Sequence, residues 1–144
     1  MKSILSILII FILFAAIDVP AFLTLNNLFY KGMLNKINQG QTVDKTRMYV
    51  SAIIAYYLMA IGFYFFIINP VTTGKDIKKR DYTSIFFKGM LFGLMSYGLY
   101  DLTNLALIKF YGVKEACIDM TWGSLLCGVM AVLSLFILNY FNLH

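Results

Sequence analysis

Histidine occurs once in this chain, as the terminal His144, and cysteine twice, as Cys117 and Cys127. That scarcity removes whole classes of chemistry. A His/Cys metal cluster and a Ser-His-Asp set both need histidines that are absent, and no glycine-rich phosphate loop occurs either. His144 stands without clustered partners and is read as a solvent group. The two cysteines sit ten residues apart on one expected helix, a rise of ~15 Å, and cannot bridge to each other. Charge is scarce too: Asp, Glu, Lys and Arg together make up 13% of the chain, against about a quarter in an ordinary soluble domain.

What fills the space is apolar. Of 144 residues, 60% are hydrophobic and 17% aromatic, more than a soluble fold of this size can hide. A bilayer can absorb such a surface if the apolar residues form runs of about 20. Four runs meet that length, at about 4–29, 48–69, 85–108 and 117–140. At ~1.5 Å per residue each reaches the roughly 30 Å of hydrocarbon. The expectation is an all-α integral membrane protein, one domain over 1–144, with four transmembrane helices in an up-and-down bundle.

The first run opens as a signal peptide would, with Lys2, an apolar stretch to Ile17, and Asp18-Val19-Pro20-Ala21. Phe22 to Phe29 continue apolar past the supposed cut, which suits a span better. Pro20 removes a backbone hydrogen bond beside Asp18 and predicts a kink there. Tyr30 to Arg47 read as a polar interfacial connection, and Asn69-Pro70 as the end of the second helix. In the third span Gly89 and Gly93 are spaced for close backbone approach. Gly123, Cys127 and Ala131 form a narrow small-residue stripe on the fourth, suited to tight packing.

The formal charge of +5 lies in the connections. Its partner is the lipid bilayer; no basic and aromatic interleaving outside the spans supports nucleic acid. Lys75, Lys78, Lys79 and Arg80 form the densest basic patch. With Lys2 and Lys88 they give six basic residues on one side, against Lys31, Lys36, Lys45, Arg47, Lys109 and Lys114 on the other. The tie is broken by the compactness of the patch, which puts both termini in the cytoplasm.

Within the third run Tyr97-Gly98-Leu99-Tyr100-Asp101-Leu102-Thr103-Asn104 is polar where lipid-like residues surround it. An aspartate at that depth costs roughly 2.5–3.5 kcal/mol and should face a partner, a cavity or a ligand. Tyr97, Asp101 and Asn104 recur at helical spacing on one stripe, and on the fourth run Asp119, Trp122 and Gly123 share a face. In an up-and-down bundle Asp18, Asp101 and Asp119 lie at decreasing depth in one half of the bilayer, a ladder lining a polar cleft. The candidate ligand-binding residues are therefore Asp18, Tyr97, Asp101, Asn104, Asp119 and Trp122. No metal site and no cofactor is expected.

The motifs Tyr100-Asp101-Leu102-Thr103-Asn104-Leu105-Ala106 and Asp119-Met120-Thr121-Trp122-Gly123 resemble the family of small predicted membrane proteins called domain of unknown function 2177. The likeness extends to Asp18, Phe29-Tyr30, and Tyr56-Tyr57-Leu58 through Gly62 to Pro70. One departure is that the family often has a tryptophan shortly after the first aspartate, where this chain has Val19-Pro20-Ala21-Phe22. The resemblance implies an integral four-helix membrane protein and no assigned reaction. The leading expectation is a cleft that binds a small polar or amphipathic ligand or moves an ion or proton, transport requiring a homo-oligomer. One alternative is a membrane enzyme using Asp101 or Asp119 as general acid or base on a lipid. The other is an assembly subunit in which the acids are braces.

Overall fold

The structure is a computed structural model, and it describes residues 2–73 and 81–143. The basic patch Lys75, Lys78, Lys79 and Arg80, and the terminal His144, lie outside the described residues. All regular structure among the described residues is helical: α1 (Lys2–Leu25), α2 (Lys31–Ile37), α3 (Lys45–Phe63), α4 (Asn69–Thr73), α5 (Tyr82–Leu107) and α6 (Val113–Tyr140). Two π-helical turns join pairs of these into longer rods. Asn26–Tyr30 links α1 to α2, and Tyr64–Ile68 links α3 to α4.

Both turns extend helices beyond the expected boundaries. The helix begun at Lys2 runs to Ile37, so only Asn38 to Asp44 remain as connection, turning at Gln39 and Gly40 with positive φ of 52° and 75°. Asn69-Pro70 likewise does not end the second helix, which continues to Thr73. Proline normally clashes with the carbonyl four residues earlier and leaves it without a donor. Here the preceding π turn shifts the ladder, with the Asn69 N–H reaching the Tyr64 carbonyl, so Pro70 enters where the register is already relaxed.

Helix starts follow ordinary capping. The Asp44 side chain accepts from the Arg47 N–H at 3.1 Å and the Asp81 side chain from the Thr83 N–H at 3.0 Å. Three stretches are long and apolar enough to cross a membrane: Lys2–Ile37, Lys45–Thr73 and Val113–Tyr140. The expectation of four is thus met for three; α5, 26 residues long and interrupted by Lys88, Asp101 and its tyrosines, is not among them.

α5 and α6 run antiparallel and form the closest pair. Gly89 faces the Cys127 carbonyl and Ala131, and Gly93 faces the Gly123 carbonyl and Cys127, so the two small-residue stripes meet within one chain. A Cβ at either glycine would strike backbone. The Ser124 hydroxyl donates to the Met90 carbonyl at 3.0 Å between them. α1 runs antiparallel to α3, with Phe14 edge-on to Phe63 at 5.1 Å, and Phe63 edge-on to Phe92 of α5 at 5.6 Å. Ile10, Phe14, Phe63, Ile68, Leu126, Met130 and Leu135 make the buried core. At its lower end the Tyr64 hydroxyl donates to Ser3 at 3.1 Å and the Ser6 hydroxyl to the Leu143 carbonyl at 3.2 Å.

Gly93→Ala should therefore force α5 and α6 apart, at a cost of about 1–3 kcal/mol. Gly32→Ala in α2, where a Cβ meets nothing within 4 Å, should be neutral or stabilise by up to ~1 kcal/mol. Thermal unfolding in detergent reads both, and a Gly93→Ala protein as stable as the parent would refute the close-packing account.

Candidate functional site

The upper end of the core is capped by Asp18, eight per cent exposed near the end of α1. Three donors from three other helices converge on its carboxylate. The Tyr56 hydroxyl of α3 reaches Oδ2 at 2.8 Å, the Tyr97 hydroxyl of α5 reaches Oδ2 at 3.2 Å, and the Trp122 Nε1 of α6 reaches Oδ1 at 2.6 Å. Acceptors and donors are matched, as burial of a carboxyl group requires. Gly123 leaves the room for this arrangement, since the Tyr97 ring lies where its Cβ would be.

Above this node lies a half-enclosed cavity of about 200 Å³, lined by side chains of α1, α2, α5, α6 and the link from Ile108 to Gly112. The π turn at Asn26–Tyr30 sets one wall: it swings Tyr30 inward, where its hydroxyl donates to Asp119 Oδ1 at 3.2 Å. Phe22 stacks on the Tyr30 ring at 6.4 Å, and α2 closes over the top with Met33 and Leu34. The Met33 sulfur accepts from the Gly112 N–H at 3.4 Å, tying α2 to the link between α5 and α6.

Of the residues expected at the site, Asp18, Tyr97, Asp119 and Trp122 line this cavity. Asp101 and Asn104 do not. Asp101 is fully buried, and the Tyr111 hydroxyl, folding back from the link, donates to its Oδ1 and stands between it and the cavity. Asp101 Oδ2 has no hydrogen-bond partner among the described residues. Asn104 lies against the hydroxyls of Tyr100 and Tyr111 instead of joining Asp101 on a ligand-facing stripe. Burial, with the hydrogen bond to Asp101, pushes the Tyr111 phenol well above its ordinary pKa, which keeps it a donor.

The ladder of three acids is thus two acids at a cavity and one sealed behind a tyrosine. Among the described residues none of the three pairs with a lysine or arginine, and none forms part of a group able to hold a metal ion. Sequence reasoning missed Tyr30 and Tyr111 because both sit in what read as connections. Tyr56 and Tyr57 both lie too deep in the second run for the interfacial belt and want partners; Tyr56 finds Asp18, whereas Tyr57 is exposed.

Substitution separates the two buried carboxylates. Asp18→Asn presents an amide donor to three donors already in place and should cost about 1–3 kcal/mol. Asp101→Asn can keep the Tyr111 bond and puts its NH₂ where no partner is lost, so it should be close to neutral. Unfolding temperatures of the two variants give the comparison, and equal losses would contradict the assigned bonding.

Residues 3–136 match the family model described as a predicted membrane protein, DUF2177, in keeping with the resemblance carried by the two motifs around Asp101 and Asp119. No curated protein and no solved structure matches the chain. With 3–136 of its 144 residues covered, the chain belongs to the DUF2177 family of predicted membrane proteins.

Proposed function

We propose that this is a multi-pass integral membrane protein, a four-helix up-and-down bundle whose upper cavity binds a small polar or amphipathic ligand. α5 is taken as the fourth span because its outer face is apolar and exposed at Phe87, Leu91, Leu94, Met95, Leu99 and Leu102. Its charges do not contradict this. Asp101 is buried inside the chain, and Lys88 lies near the helix start, where a long side chain can snorkel to the interface. The antiparallel contacts of α1 with α3 and of α5 with α6 support alternate crossing.

The observation that carries the binding reading is the cavity itself. Asp18 and Asp119 stand in its wall, and the space below is filled by Ile10, Phe14, Phe63, Leu126 and Met130. A conduit for ions would need polar groups continuing through that core. The cavity is blind, which favours binding over passage through one copy of the chain. With both termini in the cytoplasm it opens toward the opposite face.

Single cysteines test the topology after Cys117→Ser removes the exposed thiol. Gln41→Cys and Lys109→Cys should both label from outside the cell with an impermeant maleimide. Labelling of these two positions from opposite faces would remove α5 as a span. The lone tryptophan, Trp122, lines the cavity, so its emission reports occupancy directly. A panel of small amines, alcohols and amides should shift it in purified protein, and an unresponsive Trp122 across the whole panel would sink the binding reading.

A further inference from the structure

The groups left uncommitted in the cavity decide what it can hold. Its donors are already used: the Tyr30 hydroxyl on Asp119, the Tyr97 hydroxyl and Trp122 indole on Asp18, and the Tyr111 hydroxyl on Asp101. The Tyr100 hydroxyl lies against Asn104. No lysine or arginine lines the space. The nearby Lys109 and Lys114 rest over the rings of Phe110 and Phe29, at 5.6 and 5.3 Å, neither of which is a lining residue. A phosphate or carboxylate entering here would find two carboxyl groups and, for a donor, only the exposed Tyr100 hydroxyl among the described lining residues, an arrangement that disfavours anions.

What the cavity offers is aromatic surface and acceptor oxygens. Six of its eleven lining residues are aromatic: Phe22, Tyr30, Tyr97, Tyr100, Tyr111 and Trp122. Asp119 has Tyr30 as its one hydrogen-bond partner among the described residues, so its second carboxyl oxygen remains available. Aromatic walls beside a carboxylate stabilise an organic cation, since ring faces attract positive charge and the carboxylate supplies the counter-ion. A volume of about 200 Å³ lies below the roughly 300–1,000 Å³ of pockets for drug-sized ligands and suits a headgroup. Phe22 and Tyr100 are lining residues that are also exposed, so the cavity wall reaches the outer surface of the bundle at both.

We propose that this cavity recognises an organic ammonium group, held by its aromatic walls and by the free oxygen of Asp119. The proposal rests on the binding reading above and adds the sign and class of the ligand. The ammonium can belong to a free solute such as choline or to the headgroup of a bilayer lipid; the chemistry is the same.

The test is a titration of purified protein, followed by Trp122 emission and by calorimetry, with choline and with its uncharged isostere 3,3-dimethyl-1-butanol. Choline should bind at least about tenfold more tightly, the preference a cation–π site with a counter-ion confers. Asp119→Asn keeps an oxygen for Tyr30 and should reduce that preference to the part the aromatic walls supply, while leaving the isostere unchanged. Equal affinity of the two compounds in the parent protein would overturn the ammonium assignment yet leave a binding cavity standing. Silence toward both and toward the wider panel would remove the cavity reading as well. Vesicles separate the sources. If phosphatidylcholine vesicles shift Trp122 and block choline where phosphatidylglycerol vesicles do not, the ligand is a lipid headgroup; equal choline binding in both identifies a free solute.

Discussion

The carboxylate of Asp18 is where four helices are tied together. α1 supplies it, and α3, α5 and α6 each send one donor, Tyr56, Tyr97 and Trp122. In a bilayer the apolar contacts of the core cannot by themselves fix how helices are arranged, because lipid tails are as apolar as leucine. Register then depends on close approach and on directional bonds. The close approach is made by Gly89 and Gly93 against Gly123 and Cys127. The directional bonds converge on Asp18, and a donor left unpaired there would have no water to replace its partner.

The two π turns serve the same end at opposite faces of the bundle. Each inserts an extra residue and so re-aims a tyrosine that a continuous α-helix would point elsewhere. Tyr30, closing the first turn, reaches Asp119; Tyr64, opening the second, reaches Ser3. One bond fixes α1 to α6 above the core and the other fixes α1 to α3 below it. The second turn also admits Pro70 without ending the helix, so one local distortion has two consequences.

The helical class, the long apolar runs and the two small-residue stripes were legible because they follow from hydropathy and from a spacing of four; that the stripes meet each other was not. Four of the six candidate residues meet at one cavity for a related reason: a buried aspartate demands neighbours, and Tyr97, Asp119 and Trp122 lie at its height with the helices antiparallel. Tyr30 and Tyr111 were not legible, since a π turn and a link that folds inward leave no periodic mark. Asp101 lies outside the cavity for the converse reason. The rule that an intramembrane acid needs a partner holds, but a tyrosine ten residues further along the chain supplies it, and a local partner is invisible to an argument built on helix faces.

The three aspartates consequently have separate duties, and this governs how loss of function at each is to be understood. Asp18 has both oxygens engaged by donors from other helices, so its removal damages the bundle before it affects any ligand. Asp101 is sealed behind Tyr111, with one oxygen unpartnered among the described residues and the other held by the link between α5 and α6. Asp119 alone combines a place in the cavity wall with an oxygen not taken by the protein. A deep, costly acid is therefore a weak guide to chemistry in this chain. The informative acid is the shallower one, whose surroundings leave something undone.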